Sequence, residues 1–216
     1  MFTGTYNADI NYGRVYTDRG YTMGGYSQKM TINQKFAIRI PDAYPLECAG
    51  PVFCAGITTY SPLAHWGALK GGMTIGVIGI GGLGQMGIRQ AKAMGNVVTA
   101  ISTSPHKEAM AKEIGATNFV ISKDPESMKS AFGQLDLILN TVSADHDATV
   151  YMNLLSNEGT LVMLGVTKNV QPVTTMPLIY GRRSMSGSCI GSIKETQECI
   201  DFCHKKNIKP AIELIT

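Results

Sequence analysis

Gly79, Gly81, Gly82 and Gly84 crowd into the run VIGIGGLGQMG, residues 77–87, and their spacing could do chemistry. Glycine costs roughly 1 kcal/mol against alanine inside a helix, so such crowding needs a local reason. The run follows the apolar segment TIGVIG, an expected strand, and opens an expected helix. In that context Gly79, Gly81 and Gly84 fill the G-x-G-x-x-G positions of a dinucleotide fingerprint. The first glycine permits a tight turn, the second lets backbone amides approach a pyrophosphate, and the third lets the helix pack on the sheet. The positive end of the helix, with the N–H groups of Gly82 and Leu83, then faces the phosphates. A glycine-rich turn without a ligand would leave this spacing unexplained.

The end of the second strand reports on the ribose. A site for NAD places Asp or Glu there, about 20 residues on. Here the place reads AISTSPHK, and no carboxylate occurs between residues 97 and 107. Ser102, Thr103 and Ser104 offer hydroxyls and Lys107 a positive charge, a setting that suits the extra phosphate of NADP. Ser104 has a second expected role as a helix cap. The missing acid also argues against a methyltransferase, whose cofactor ribose is usually held by a carboxylate.

The cysteines, at 48, 54, 189, 199 and 203, are odd in number and lack disulfide-scaffold spacing, so free thiols or metal ligands are expected. Cys199, Cys203 and His204 together imitate a metal cluster. However, Ser192 and Glu195 form a capping box, and apolar positions 199, 200, 202 and 203 follow at the spacing of a helix face. Core thiols are the simpler reading, because free cysteine behaves as a small hydrophobe. Taken alone, Cys54 likewise reads as a buried thiol at a helix start.

The elements that must position these residues fall into three regions of different texture. Residues 1–53 are rich in Tyr, Thr and Gly, with YSQKMTI and FAIRI expected as short antiparallel strands, and Pro41, Pro45 and Pro51 punctuating a linker-like passage. Residues 54–190 alternate apolar strands (TIGVIG, VVTAI, NFVIS, DLILNTV, TLVMLG, SMSGSCI) with helical segments. One of these helices has Ser104 as cap, Pro105 at its first position and Gly115 at its end. That alternation predicts an α/β fold with a doubly wound, six-stranded parallel sheet, a Rossmann domain. Residues 191–216 read as one capped helix and one strand, IKPAIELI.

A hydrophobic content of 44%, charged residues at 16% and a net charge of +3 describe a globular chain with no call for nucleic acid. Nothing approaches the ~18 consecutive apolar residues of a membrane span, and no secretory signal opens the sequence. A cytoplasmic location is the expectation.

The segments FCAGITTYSPLAHWGALKGG, GVIGIGGLGQMGIRQAKAMG, DLILNTVSADHD and GSCIGSIKETQECIDFC together resemble the cinnamyl alcohol dehydrogenase branch of the zinc-dependent medium-chain alcohol dehydrogenases. The resemblance implies an NADP-dependent exchange between alcohols and aldehydes at a catalytic zinc. It places Cys54 as a catalytic zinc ligand and Thr58 against the cofactor. Gly79 to Gly84 would cradle the pyrophosphate, and Ser102, Thr103, Ser104 and Lys107 would meet the 2′-phosphate. Thr141, Val142, Gly165, Val166, Ser188, Cys189 and Ile190 would flank the nicotinamide. Cys189 stands where many plant members carry an aromatic residue facing the substrate. By the same resemblance residues 1–53 and 191–216 are remnants of a β-rich, GroES-like catalytic domain, and the family's remaining zinc ligands fall outside the sequence. A homodimer through the strand near 184–190 and a small alcohol or aldehyde substrate complete the expectation. The alternatives are a catalytically inactive NADP-binding module and a zinc-free reductase of the quinone oxidoreductase type.

Overall fold

The computed structural model describes residues 16–17, 20–21, 28–29, 33–169 and 173–214. Its centre is a six-stranded, all-parallel sheet built from β3 (Thr74–Ile78), β4 (Val97–Ser102), β5 (Asn118–Ile121), β6 (Leu135–Asn140), β7 (Leu155–Met163) and β8 (Ser184–Gly187). The order across the sheet is β5-β4-β3-β6-β7-β8. The chain winds outward from β3 in one direction, then returns to the other side of it at β6. β3 and β6 therefore form the switch point of a doubly wound sheet, paired in parallel with Val77 opposite Leu139. The six apolar runs are these six strands, and the Rossmann expectation holds.

Buried apolar side chains lie on both faces, as parallel strands require. In β6 the succession Leu137, Ile138, Leu139 sends side chains alternately to two separate clusters, all at 0% exposure. One cluster is covered by α2 (Ile57–His65), α3 (Gly82–Ala93) and α8 (Ile193–Lys205). The other gathers Ile101, Leu135, Tyr151, Met152 and Leu161. On that side lie α5 (Pro125–Ser130), α6 (Thr149–Met152) and α7 (Met176–Gly181). Cys199 and Cys203 are fully buried in the first cluster, as the helix-face reading expects. The α8 capping box is present: Ser192 Oγ accepts from Glu195 N at 3.1 Å, and Glu195 Oε2 accepts from Ser192 N at 2.8 Å.

The flanks depart from expectation. A two-residue antiparallel pair, β1 (Tyr16–Thr17) and β2 (Gly20–Tyr21), occurs in the first region. YSQKMTI lies almost wholly outside the described residues. FAIRI is not a strand: Phe36 closes a 3₁₀ turn, and Arg39 exchanges backbone hydrogen bonds with the Gln197 side chain of α8 (2.8 and 2.9 Å). A ladder needs a partner, and here the side-chain amide takes that role. IKPAIELI also forms no strand over its described residues, 208–214. Instead Ile208 is buried, and its carbonyl accepts from Tyr44 Oη at 2.8 Å. The proline-punctuated passage is largely helical. α1 (Leu46–Pro51), a π-helical turn (Val52–Gly56) and α2 make one unbroken helical run. Pro45 caps its start, where a missing N–H costs nothing.

Candidate functional site

The glycines divide by what surrounds them. Gly79 has φ +86°, a left-handed backbone, and a Cβ there would stand 2.9 Å from Val142 Cγ2 and 3.0 Å from Thr141 Oγ1. At Gly84 a Cβ would fall on the Gly79 carbonyl oxygen, so α3 approaches the turn as closely as a helix can. Gly81 and Gly82, by contrast, are exposed, with nothing within 4 Å of their Cβ positions. Two glycines are thus needed by the protein's own packing and two face open space. No side chain caps α3 at Gly81, so its first amides have no side-chain partner at the N-cap.

Around this turn stand the ends of the neighbouring strands. Thr141 Oγ1 donates to Ile78 O at 2.8 Å, tying the exit of β6 to the exit of β3. A Cβ on Gly165 would strike the Val142 carbonyl oxygen, so the exits of β6 and β7 are in backbone contact. Ser188 N donates to Met163 O at 3.1 Å, bringing the exit of β8 alongside β7. Ile190 there has φ +52°, a left-handed conformation that costs a β-branched residue on the order of 1–3 kcal/mol. The next residue, Gly191, has room only for hydrogen beside Ile57 and Ser61 of α2. Val166 and Cys189 are exposed at this rim.

The segment after β4 is more specific than its sequence suggests. Ser102 is buried, and its Oγ accepts from Ser104 N at 3.1 Å, so this hydroxyl serves the turn. Thr103 is exposed. Lys107 reaches back over the glycine turn and donates from Nζ to Ile80 O at 3.2 Å. Ser104 is an N-cap by position, yet its side chain makes no capping bond. Pro105 starts a 3₁₀ turn (Pro105–Lys107) before α4 (Glu108–Glu113), and the Ser104 carbonyl, accepting from Lys107 N, closes that turn instead.

Cys54 lies within the π-helical turn, and it is exposed, which corrects the buried-thiol reading. The wider turn rotates residue 54 off the packed face. Side chains take up the backbone carbonyls of the turn: Thr58 Oγ1 donates to Cys54 O at 2.7 Å and Gln90 Nε2 to Gly56 O at 3.0 Å. Gln90 is fully buried on α3, and its Oε1 accepts from Thr59 Oγ1 at 2.7 Å. Behind it, the hydrogen bond to Cys203 and burial both push the Cys199 thiol up, so it stays protonated. Among the described residues no group of three or more His, Cys, Asp or Glu could hold a metal ion.

Sequence reasoning passed over Asn140, the last residue of β6. It is fully buried, and its side chain binds both Val142 N and the His146 ring. A buried amide at a strand's carboxyl end is the only signal that could have marked it.

Residues 82–205, more than half the chain, match the model of the zinc-binding dehydrogenase family. Cinnamyl alcohol dehydrogenase 8 of Arabidopsis thaliana is 49% identical over 95% of this chain and 57% of its own length. A cinnamyl alcohol dehydrogenase from Sorghum bicolor superposes with a TM-score of 0.83 at 37% identity, covering 85% of this chain and 52% of that one. The Helicobacter pylori enzyme, crystallised with NADP(H), gives 0.74 at 38% identity over 82% and 50%. The chain spans little more than half the length of these relatives. It belongs to the zinc-binding dehydrogenase family.

Proposed function

We propose that the chain carries the cofactor site of an NADP-dependent alcohol dehydrogenase or aldehyde reductase of the cinnamyl alcohol dehydrogenase type. In this reading residues 54–190 are the NADP-binding domain. Residues 1–53 and 191–216 belong to a GroES-like catalytic domain, and the substrate is a small alcohol or aldehyde. The carrying observation is the split among the glycines: Gly79 and Gly84 are closed by the protein, whereas Gly81 and Gly82 are left open beside the start of α3. An open, uncapped helix start favours a diphosphate, and NADP fits it. The same nucleotide accompanies the H. pylori relative.

The chain's own residues then have distinct tasks. The amides of Gly81, Gly82 and Leu83 hold the diphosphate. Lys107 and Thr103 take the 2′-phosphate, with Ser102 and Ser104 shaping their turn. Thr58, Thr141, Val142, Gly165, Val166, Ser188, Cys189 and Ile190 form the walls of the nicotinamide end. Bound there, NADP would supply the hydride transfer between its nicotinamide and the substrate's carbonyl carbon. Zinc is a different matter. Cys54 offers one exposed thiol, and the described residues assemble no set of ligands around it. Cys54 is therefore proposed as a single ligand, and no step is derived through the metal. Assembly as a homodimer through the strand near 184–190 and a cytoplasmic location belong to the same reading.

Titration with NADPH and NADH, followed by nucleotide fluorescence, tests the proposal. NADPH should bind more tightly than NADH, and Lys107→Ala should lower NADPH affinity by about tenfold while leaving NADH affinity nearly unchanged, the loss expected for one charge-assisted contact. Equal affinity for both nucleotides would remove the 2′-phosphate assignment.

A further inference from the structure

Asn140 and His146 form a hydrogen-bonded pair whose polarity is fixed from outside. His146 Nδ1 lies 2.7 Å from Ala144 O, which can only accept, so Nδ1 carries a proton. His146 Nε2 lies 2.7 Å from Asn140 Nδ2, which can only donate, so Nε2 must be bare. The amide cannot turn over freely. Asn140 Oδ1 accepts from Val142 N at 3.2 Å, and Nδ2 also faces Met163 Sδ at 3.3 Å. Flipping it would set two N–H donors against each other at Val142. The network thus demands a neutral imidazole in one tautomer.

Val142 connects this pair to the glycine turn. Its Cγ2 lies 2.9 Å from where a Cβ on Gly79 would stand, and its carbonyl is in contact with Gly165. The Asn140 carbonyl meanwhile accepts from Leu164 N and Gly165 N at 2.9 and 3.1 Å. One buried residue therefore holds the exits of β6 and β7 against the start of the nucleotide turn.

We propose that Asn140 is a positioning residue for the nucleotide site and that it makes nucleotide affinity depend on the protonation of His146. The inference rests on the NADP reading above. A proton on Nε2 opposes the Asn140 amide, and relief requires either the flip, which strips Val142 N–H of its acceptor, or withdrawal of the 141–147 loop. Both loosen Val142 beside Gly79. Among the described residues, the ionisable groups near His146 include Asp145 and Asp147 on its own loop, Lys168 on the facing loop and Tyr151 of α6. The Tyr151 ring lies 6.0 Å away. Asp147 Oδ1 accepts from Thr149 N, and Asp145 accepts from the amides of Lys168 and Asn169. Hydrogen bonds from Asn169 hold the Asp145 carboxyl below the ordinary range, so it stays charged from about pH 8.5 to about 5.5.

The test measures NADPH Kd from pH 8.5 to 5.5 on the full chain, alongside hydrogen exchange of the Val142 amide without nucleotide. As pH falls and Nε2 takes a proton, Kd should rise, approaching about tenfold per pH unit for one linked proton. Val142 protection should fall in parallel. His146→Gln, which can still donate to Ala144 O and accept from Asn140, should bind with an affinity that no longer shows this component. Asn140→Asp, able to accept from a protonated imidazole while keeping Val142 N–H bonded, should retain affinity at low pH. Any pH dependence that arises from the nucleotide's own phosphate remains in both variants and is subtracted. If wild type and His146→Gln have the same pH profile, the inference is overturned. Absence of binding at every pH refutes the NADP reading and with it the link to the nucleotide, and the Val142 amide then decides the contact by itself.

Discussion

Alanine at Gly84 and alanine at Gly81 should have opposite consequences, although the two glycines are three residues apart. At position 84 the added methyl would stand 1.8 Å from the Gly79 carbonyl oxygen and 2.9 Å from its carbon, against backbone that cannot swing aside. Helix and turn must part by about 1.2 Å to restore the 3.0 Å that side-chain carbons respect. Overpacking of that size costs about 3 kcal/mol. Better helix propensity returns about 1 kcal/mol. The net loss of about 2 kcal/mol corresponds to a melting temperature lower by roughly 4–8 °C in a chain of this size. At position 81 the backbone is extended, at φ −100°, and nothing lies within 4 Å, so stability should change by no more than about 0.5 kcal/mol. The methyl would instead intrude on the space proposed for the diphosphate, weakening NADPH by about tenfold or more, or about 1.4 kcal/mol. Thermal melts and nucleotide titration of both variants provide the check. A Gly84→Ala protein as stable as the parent would refute the close approach of α3 to the turn. Full NADPH affinity in Gly81→Ala would refute the cradle.

Three other outcomes follow from the packing around α2 and α8. Gln90→Leu removes the bonds to the Gly56 carbonyl and the Thr59 hydroxyl, but that hydroxyl still reaches Ala55 O and Gly56 O, so the cost is about 0.5–1.5 kcal/mol, read as a lower urea midpoint. Burial alone would raise the Glu195 carboxyl, but hydrogen bonds from Ser192 and Ser61 outweigh it and bring the group down to about 2. Its contribution is therefore complete above the ordinary value of 4.5 and disappears as pH falls toward about 2. The melting-temperature gap between wild type and Glu195→Gln should be steady from pH 7 to 5 and narrow progressively from the ordinary value of 4.5 toward about 2; a gap undiminished by acid contradicts the bonding. In the native protein Cys54 and Cys189 should react promptly with a maleimide, and Cys48, Cys199 and Cys203 only after unfolding. Peptide mapping of the labelled protein distinguishes the two groups.

The cofactor half of the fold was legible because its signals are local. Runs of Val, Ile and Leu between capped helical segments mean strands buried on two faces, and a close backbone approach such as Gly84 on Gly79 can only be written with glycine. The flanks were less legible because their structure depends on what they touch. FAIRI and IKPAIELI have strand patterns, but a strand exists only with a paired edge, and here Gln197 and Tyr44 supply the hydrogen bonds instead. Ser104 has the residue type and place of a cap without making the bond, since the following turn is 3₁₀. Cys54 reads as buried because a free cysteine usually is, whereas the π-helical turn that holds it leaves it exposed. Asn140 shows in the sequence only as an amide at the end of an apolar run, and nothing there marks the left-handed backbone of Ile190: one role depends on a ring six residues on, the other on a conformation that its residue type resists.

The unbroken helical run from Leu46 to His65 also decides where the molecule can bend. Gln90 bolts it to α3, and the Ser61–Glu195 bond joins it to α8. Arg39 and Tyr44 are fastened in turn to Gln197 and Ile208. Everything from Arg39 onward in this part of the chain therefore moves as a beam fixed to the sheet. The 53/54 boundary that composition suggests thus falls within one hydrogen-bonded unit that reaches back to Arg39. Cys54 belongs to that unit, so the turn carrying its thiol is held in place by Gln90 of α3.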